Sequence, residues 1–461
     1  MVVINAMYDL VIIGAGSAGY HAAMSAVKLK KKVCVIDKGP FGGLCILKGC
    51  MPSKTLLYSA RLMELFKKAH KFGVYAEGRV AIDMPHMISR KNGIIKGFAD
   101  YRKESFDKKV KSREIDFIPG EAGFVDRNSV RVGDKLVKGV NFLIATGSEV
   151  VIPEINGLKE TGYITSDDAL ELKKLPGSIA VIGGGYIGVE LAYYFHALGV
   201  KTIIIERGER LVKIADSDIG KELERVFAGK GIKVYTKAGV REISKAGGKK
   251  KIVFEQGGSE IHVEVDEILV AVGRKPNIDK LELSRAGVKI TNGRINVDDY
   301  LGTNVKNIYA AGDAAGRLMV VNAAVEEGRI AVGNMFGKKK EKLEYDRVPF
   351  AVFCNPEIAW IGIGEDEAKK RKLSFEVRKI GFAELGKAEC YDETDGFIKF
   401  VIDRKSRRIL GVGIIGHNAS DLIHEAVPLL YYKARIDDLK KMMHVHPSFA
   451  EIYSYLADEI E

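Results

Sequence analysis

Cysteine is scarce in this 461-residue chain: there are five, Cys34, Cys45, Cys50, Cys354 and Cys390, and their spacing is irregular. That excludes a secreted disulfide framework and points to a reducing compartment, where a close pair of thiols is catalytic or metal-binding. Long hydrophobic runs are missing as well. The apolar stretch from Ile187 to Ile205 carries Glu190, His196 and Lys201, so it falls short of the roughly 18 uncharged apolar residues of a membrane span. The opening MVVINAMYDLVIIGAG has no basic leader region or small-residue cleavage site, so export is not expected and a cytoplasmic location is. Acidic residues are in deficit, 61 against 72 Lys and Arg, for a formal charge of +11. A nucleic-acid partner is still not expected. The basic runs Lys30 to Lys32, Lys249 to Lys251 and Lys338 to Lys340 are short, separate and bare of the aromatics on which bases stack.

What the chain does have is a globular balance, 46% hydrophobic and 29% charged, and enough length for about three domains. It also has 50 glycines, about 11% against an average of about 7%. Part of that excess lies in two copies of one pattern. Tyr8 to Ile13 reads as a buried parallel strand. Gly14-Ala15-Gly16-Ser17-Ala18-Gly19 follows, then a helix from His21 to Lys30, then a strand from Lys32 that ends at Asp37. The same order recurs at Ser178 to Ile182, Gly183-Gly184-Gly185-Tyr186-Ile187-Gly188, a helix through Leu198, and a strand from Thr202 ending before Glu206. Each acid stands 23 residues after the first glycine of its motif. In this fingerprint the first glycine makes the turn and the second admits a diphosphate. The third lets helix and strand pack, and the acid accepts ribose hydroxyls. One copy is weak; two in full context predict two dinucleotide sites. Prolines Pro153 and Pro276 follow the strand-like segments around Ala145-Thr146-Gly147-Ser148 and Val272-Gly273-Arg274, and mark domain crossings. Residues 346–461, with strands at Phe397 to Ile402 and Ile409 to Ile415 and a helix from Ala419 to Tyr432, read as a separate α+β domain.

Between Gly42 and Lys54 two cysteines stand five residues apart. A regular helix would hold their Cα atoms about 8.7 Å apart, beyond the ~4.4 to 6.8 Å of a disulfide, so a bridge demands a broken turn, which Gly42, Gly43 and Gly49 permit. Structural zinc, which wants four ligands, and two unrelated core cysteines are the competing readings. A dinucleotide motif nearby favours redox chemistry, because a dithiol passes two electrons. Near the end, His444-Val445-His446-Pro447-Ser448-Phe449-Ala450-Glu451 places an imidazole and a carboxylate within one turn. Alone this suits a metal site or a helix cap equally well. Beside a thiol exchange site it suits a base that forms thiolate, oriented by an acid.

Taken in order, these segments, with Gly273-Arg274-Lys275-Pro276-Asn277, Ala311-Gly312-Asp313 and Asn355-Pro356-Glu357, resemble the pyridine nucleotide-disulfide oxidoreductases, nearest to the dihydrolipoamide dehydrogenase branch. The resemblance covers essentially the whole chain. It implies an α/β fold of two Rossmann-like dinucleotide-binding domains plus a C-terminal α+β dimerisation domain. FAD would take 1–153 with 275–345, NAD would take 154–274, and 346–461 would form a homodimer. It implies a Cys45-Cys50 redox disulfide, with Cys45 exchanging with substrate and Cys50 facing the flavin. Lys54 and Glu190 would pair near the reactive edge of the ring. For FAD it implies Gly14, Gly16, Gly19, Asp37, Ala122, Thr146, Gly147, Asp313 and Val321, and for NAD, with NADP disfavoured by the acid, Gly183, Gly185, Tyr186, Gly188, Glu206 and Gly273. His446 and Glu451 would serve the dithiol of the other subunit. The implied substrate is dihydrolipoamide, free or protein-tethered as in a 2-oxoacid dehydrogenase complex. Leu44, Leu47 and Asn322 depart from the branch at positions that bear on the substrate rather than on the fold or the flavin. No terminal cysteine pair follows Ile460, so a mercuric reductase is not expected. A reductase of another small disulfide and a non-catalytic flavoprotein scaffold subunit are the alternatives.

Overall fold

The structure is a computed structural model that describes residues 2–75, 78 and 80–460. The chain forms two compact units, 1–53 with 89–151 and 274–345, and 54–88 with 152–273 and 346–461.

The first unit is built on a seven-stranded sheet. Strand Val2–Ile13 lies between Val33–Asp37 and Lys135–Ile144, parallel to both, and Ile115–Pro119 and Ile308–Ala310 extend the parallel part on either side. Both faces are covered, so Leu10, Val11, Ile12, Val35 and Ile36 are all buried and the strands read as continuous apolar runs. Helix α1 (Ser17–Lys28) begins four residues before the expected His21, because the motif's third glycine is itself helical. A Cβ at Gly19 would lie 1.8 Å from the Gly14 carbonyl oxygen, so no other residue lets the first turn sit against the strand end. Helix α2 (Gly43–Leu47) follows in this unit; most of α3 (Cys50–Lys68) belongs to the second unit, and most of the 28-residue α4 (Met84–Lys111) to the first. The sequence reading missed α4. Its apolar stripe is thin, with Met84, Ile88, Ile95 and Phe106 buried among many charged positions.

In the second unit the parallel sheet runs Lys233–Tyr235, Lys201–Ile205, Ser178–Ile182, Glu267–Val270, Ile164–Thr165. An antiparallel sheet of Gly239–Ala246, Lys249–Gln256 and Ser259–Val265 was also missed. Its signal lay in Gly247-Gly248 and Gly257-Gly258, whose positive φ angles make two-residue hairpin turns. The C-terminal part has a five-stranded antiparallel sheet in which Phe397–Asp403 and Ile409–Gly416 are central. Helix Ala419–Tyr431 buries Ala419, Ile423, Ala426 and Leu429 in the same core. Two Rossmann-like sheets and a C-terminal α+β domain are thus present, as the sequence implied.

Candidate functional site

Both glycine motifs turn from a parallel strand into a helix, where an open α/β sheet binds dinucleotides. The two copies match in detail. Gly14 and Gly183 have φ of +106° and +115°, and a Cβ at Gly188 would lie 2.0 Å from the Gly183 oxygen. Asp37 accepts the Ala15 N–H at 2.6 Å, and Glu206 accepts the Gly184 N–H at 2.5 Å. Asp37 also accepts from the Gly39 N–H at 2.6 Å. The middle glycines differ from the rest. A Cβ at Gly16 would meet nothing nearer than Gly43 Cα at 3.9 Å, and one at Gly185 would meet nothing within 4 Å. Nothing in the protein's own packing requires glycine there, whereas a diphosphate drawn against the backbone does.

A second cluster in the first unit surrounds Asp313. Its carboxylate accepts the Ser148 hydroxyl at 2.5 Å, and Arg274 Nε donates to the Ser148 oxygen at 2.9 Å. Burial raises Asp313, and Ser148 and Arg274 oppose that rise. Thr146 Oγ1 is buried and has no hydrogen-bond partner among the described residues. Gly147, at φ +73°, gives its carbonyl to the Asn277 N–H at 2.9 Å. A buried orphan hydroxyl, a carboxylate and a positive-φ glycine within one unit fit the polar parts of FAD. Ala122 is buried in an antiparallel ladder opposite Val132, and Val321 opens helix Val321–Phe336.

The sequence reading missed Glu327. It accepts the Gly312 N–H at 2.5 Å and the Tyr345 hydroxyl at 2.6 Å. Burial lifts its carboxyl from the ordinary 4.5 to about 7, against Tyr345 and Gly312. The available signal was a lone carboxylate on a helix face otherwise made of Ala323, Ala324, Gly328 and Ala331. A carboxyl raised on folding stabilises the protein fully below 4.5, and that contribution is lost as pH rises through about 7. Glu327→Gln should therefore remove a downward slope of stability over that range, on the order of 3 kcal/mol. Urea unfolding at a series of pH values checks this; a slope unchanged by the substitution contradicts it.

The cysteine segment breaks the helix as a bridge would require. Helix α2 carries Cys45 and stops at Leu47, Lys48 leaves helical geometry at φ −141°, and α3 starts at Cys50. At the break a Cβ on Gly49 would lie 3.2 Å from Cys45 Cα and 3.0 Å from the Leu44 oxygen. The residue before Cys50 thus presses on the backbone of Cys45. Both cysteines are half-buried. Burial, then Asp116, pushes Cys34 up to about 12, and Cys354 is raised further still by burial. Those two thiols are inert at neutral pH.

One turn beyond Cys50 on α3, Lys54 pairs with Glu190 at 2.9 Å. Glu190 is buried and also accepts the Phe353 N–H at 2.9 Å. Tyr186 opens helix Tyr186–Ala197, its ring 5.7 Å from that of Phe350, and Gly273, at φ +133°, follows strand Glu267–Val270. In the C-terminal part His446 Nδ1 lies 2.8 Å from Glu451. Desolvation works against the Glu451 carboxylate, but the Ser448 N–H and His446 hold it below the usual range. His444 pairs separately with Glu425 at 2.7 Å, so the two histidines have different hydrogen-bonded carboxylates.

Two dinucleotide loops and a close thiol pair at a helix break define a flavin-linked dithiol oxidoreductase. The chain belongs to the pyridine nucleotide-disulfide oxidoreductase family: the family's main domain matches residues 8–328 and its dimerisation domain residues 348–457. Its members bind FAD and use NAD or NADP, and the second match supports a homodimer. The chain is 35% identical over 448 residues to a mercuric reductase of Bacillus cereus, covering 97% of this chain and 70% of that one. It is 34% identical to a dihydrolipoyl dehydrogenase of Bacillus subtilis, covering 96% of each. Among solved structures, the HOCl-induced flavoprotein disulfide reductase RclA from Escherichia coli superposes with a TM-score of 0.86 at 28% identity, over 98% of this chain and all of that one. Among the described residues no helix is long and apolar enough to cross a membrane.

Proposed function

We propose that this enzyme oxidises dihydrolipoamide to lipoamide with NAD as acceptor, in a reducing cytoplasmic setting, through a Cys45-Cys50 redox disulfide. The helix break at Gly49, closed against Cys45 Cα, is the observation that carries the dithiol part of this reading. Residues 1–153 and 275–345 hold FAD, 154–274 hold NAD, and 346–461 pair the subunits. What a bound FAD supplies is a two-electron relay between the thiols and nicotinamide. His446, its other nitrogen held by Glu451, takes a proton from a substrate thiol. The resulting thiolate attacks Cys45 Sγ, and the Cys45–Cys50 bond breaks with its electron pair going to Cys50 Sγ. The second substrate thiolate then closes the product disulfide and releases Cys45 as thiolate. Exposed Met443 and Val445 flank His446, which suits an apolar dithiol and the face of a second subunit.

Nicotinamide choice rests on Glu206, whose carboxylate ends a strand where it accepts ribose hydroxyls and repels a 2'-phosphate. Of the two arginines able to pair with a phosphate, Arg207 is exposed, while Arg210 gives its Nη2 to Asp366 at 3.1 Å and to the Ala215 carbonyl at 3.2 Å. The expected result is a kcat/KM for NADH at least about tenfold above that for NADPH. With NADH, lipoamide should turn over faster than glutathione disulfide, coenzyme A disulfide or mercuric ion. Preference for mercuric ion or another disulfide would replace lipoamide as substrate while leaving the thiol chemistry in place.

A further inference from the structure

Helix α4 sends Arg102, half-buried, to the segment that carries Cys45. Its Nη1 donates to the Gly42 carbonyl at 3.0 Å, and Gly42 is the residue immediately before α2. The guanidinium lies over the Tyr20 ring, 5.1 Å from its centroid, and the Tyr20 hydroxyl is held by Ser105, one turn along α4, at 3.0 Å. Arg102 interacts electrostatically with Tyr20 and His21 on α1 and with Cys45 on α2. Burial works against its charge, and Cys45 and Tyr20 act in the opposite sense. His21 in turn is held below the usual imidazole range by burial, then by Arg329 and Arg102. The positive charge is therefore fixed in place by a planar fork and an aromatic face, and its electrostatic reach includes the Cys45 sulfur.

We propose that Arg102 is a positioning residue of the dithiol site: it braces the Gly42 carbonyl at the start of α2 and holds positive charge beside Cys45, favouring the thiolate there. The inference rests on Cys45 being the substrate-facing thiol and adds to it the group that prepares that thiol. When the substrate's second thiolate attacks the mixed disulfide, the sulfur–sulfur bond to Cys45 breaks and both electrons pass to Cys45 Sγ. A leaving thiol with a lower pKa departs faster, so the nearby cation speeds this half of the exchange. A nearby cation favours the thiolate over the thiol.

The test is the pH dependence of Cys45 alkylation by iodoacetamide, followed on the Cys45 peptide by mass spectrometry, in FAD-loaded Cys50→Ser enzyme. Arg102→Gln and Arg102→Met are added in parallel, so that either folded, FAD-loaded variant decides, with Arg102→Lys as the rescue. Loss of the guanidinium should move the midpoint up by about one pH unit and slow alkylation about tenfold at pH 7, with Arg102→Lys recovering most of the rate. A purely structural arginine would not be rescued by charge in this way. A reactive Cys45 whose midpoint is unmoved by Arg102→Gln or Arg102→Met overturns the role of Arg102 alone. A Cys45 that fails to alkylate at any pH in the Cys50→Ser enzyme overturns the dithiol reading, and this inference with it.

Discussion

Cys45→Ser should abolish dithiol turnover, with a loss on the order of 10^4-fold or more, while the protein stays yellow and folded. The size of the loss follows from chemistry. A serine oxygen cannot form the mixed disulfide, and neither Cys34 nor Cys354 can substitute, because burial holds both thiols protonated. Fold and flavin should survive because Cys45 is only half-buried and thiol to hydroxyl changes little volume. The absorbance of bound FAD and steady-state oxidation of dihydrolipoamide measure the two halves separately. Full activity in this variant would sink the assignment of the thiol pair.

His446→Gln is expected to lower turnover by about 10^2 to 10^4-fold at pH 7, the range for loss of a positioned base. At that pH an ordinary thiol near 8.5 is only a few per cent ionised, so the remaining rate depends on thiolate formed in solution. The residual activity should climb close to tenfold per pH unit up to the thiol pKa, whereas the parent enzyme, which forms the thiolate through its own base, should depend less steeply on pH. Glu451→Gln should cost less, because it removes the hydrogen bond at 2.8 Å that orients the imidazole but leaves the imidazole itself. A normal rate in His446→Gln would assign the histidine to the packing of its loop. A flat pH profile in that variant would separate proton transfer from positioning.

Much of this site is local in sequence, and that part was legible. The glycine motifs and their acids operate through backbone turns a few residues long, so Gly14, Gly19 and Asp37 can be read in a line, as can Gly183, Gly188 and Glu206. A bridge between Cys45 and Cys50 would require a broken helix, and the structure has a break at Lys48 and Gly49. His446 and Glu451 also meet within a single turn. Helix α4 was not legible, because its polar face outweighs its apolar one. The hairpins at Gly247-Gly248 and Gly257-Gly258 were missed although their turns were spelled out, because the single strand between them, Lys249–Gln256, opens on three lysines that obscure its alternation.

Covalent neighbours alone set the class of chemistry: two glycine motifs each followed by an acid, two cysteines five residues apart, and an imidazole with an acid five residues on. What surrounds them comes from the folded chain. It pairs Lys54 with Glu190 across 136 positions of chain and Ser148 with Asp313 across 165. It buries Glu327 under Gly312, occupies Arg210 with Asp366, and brings Arg102 to Gly42. The physical reason is that burial, charge and hydrogen-bond satisfaction depend on neighbours in space, and a carboxylate or guanidinium looks the same in sequence whether it faces water, a carbonyl or a reactive sulfur.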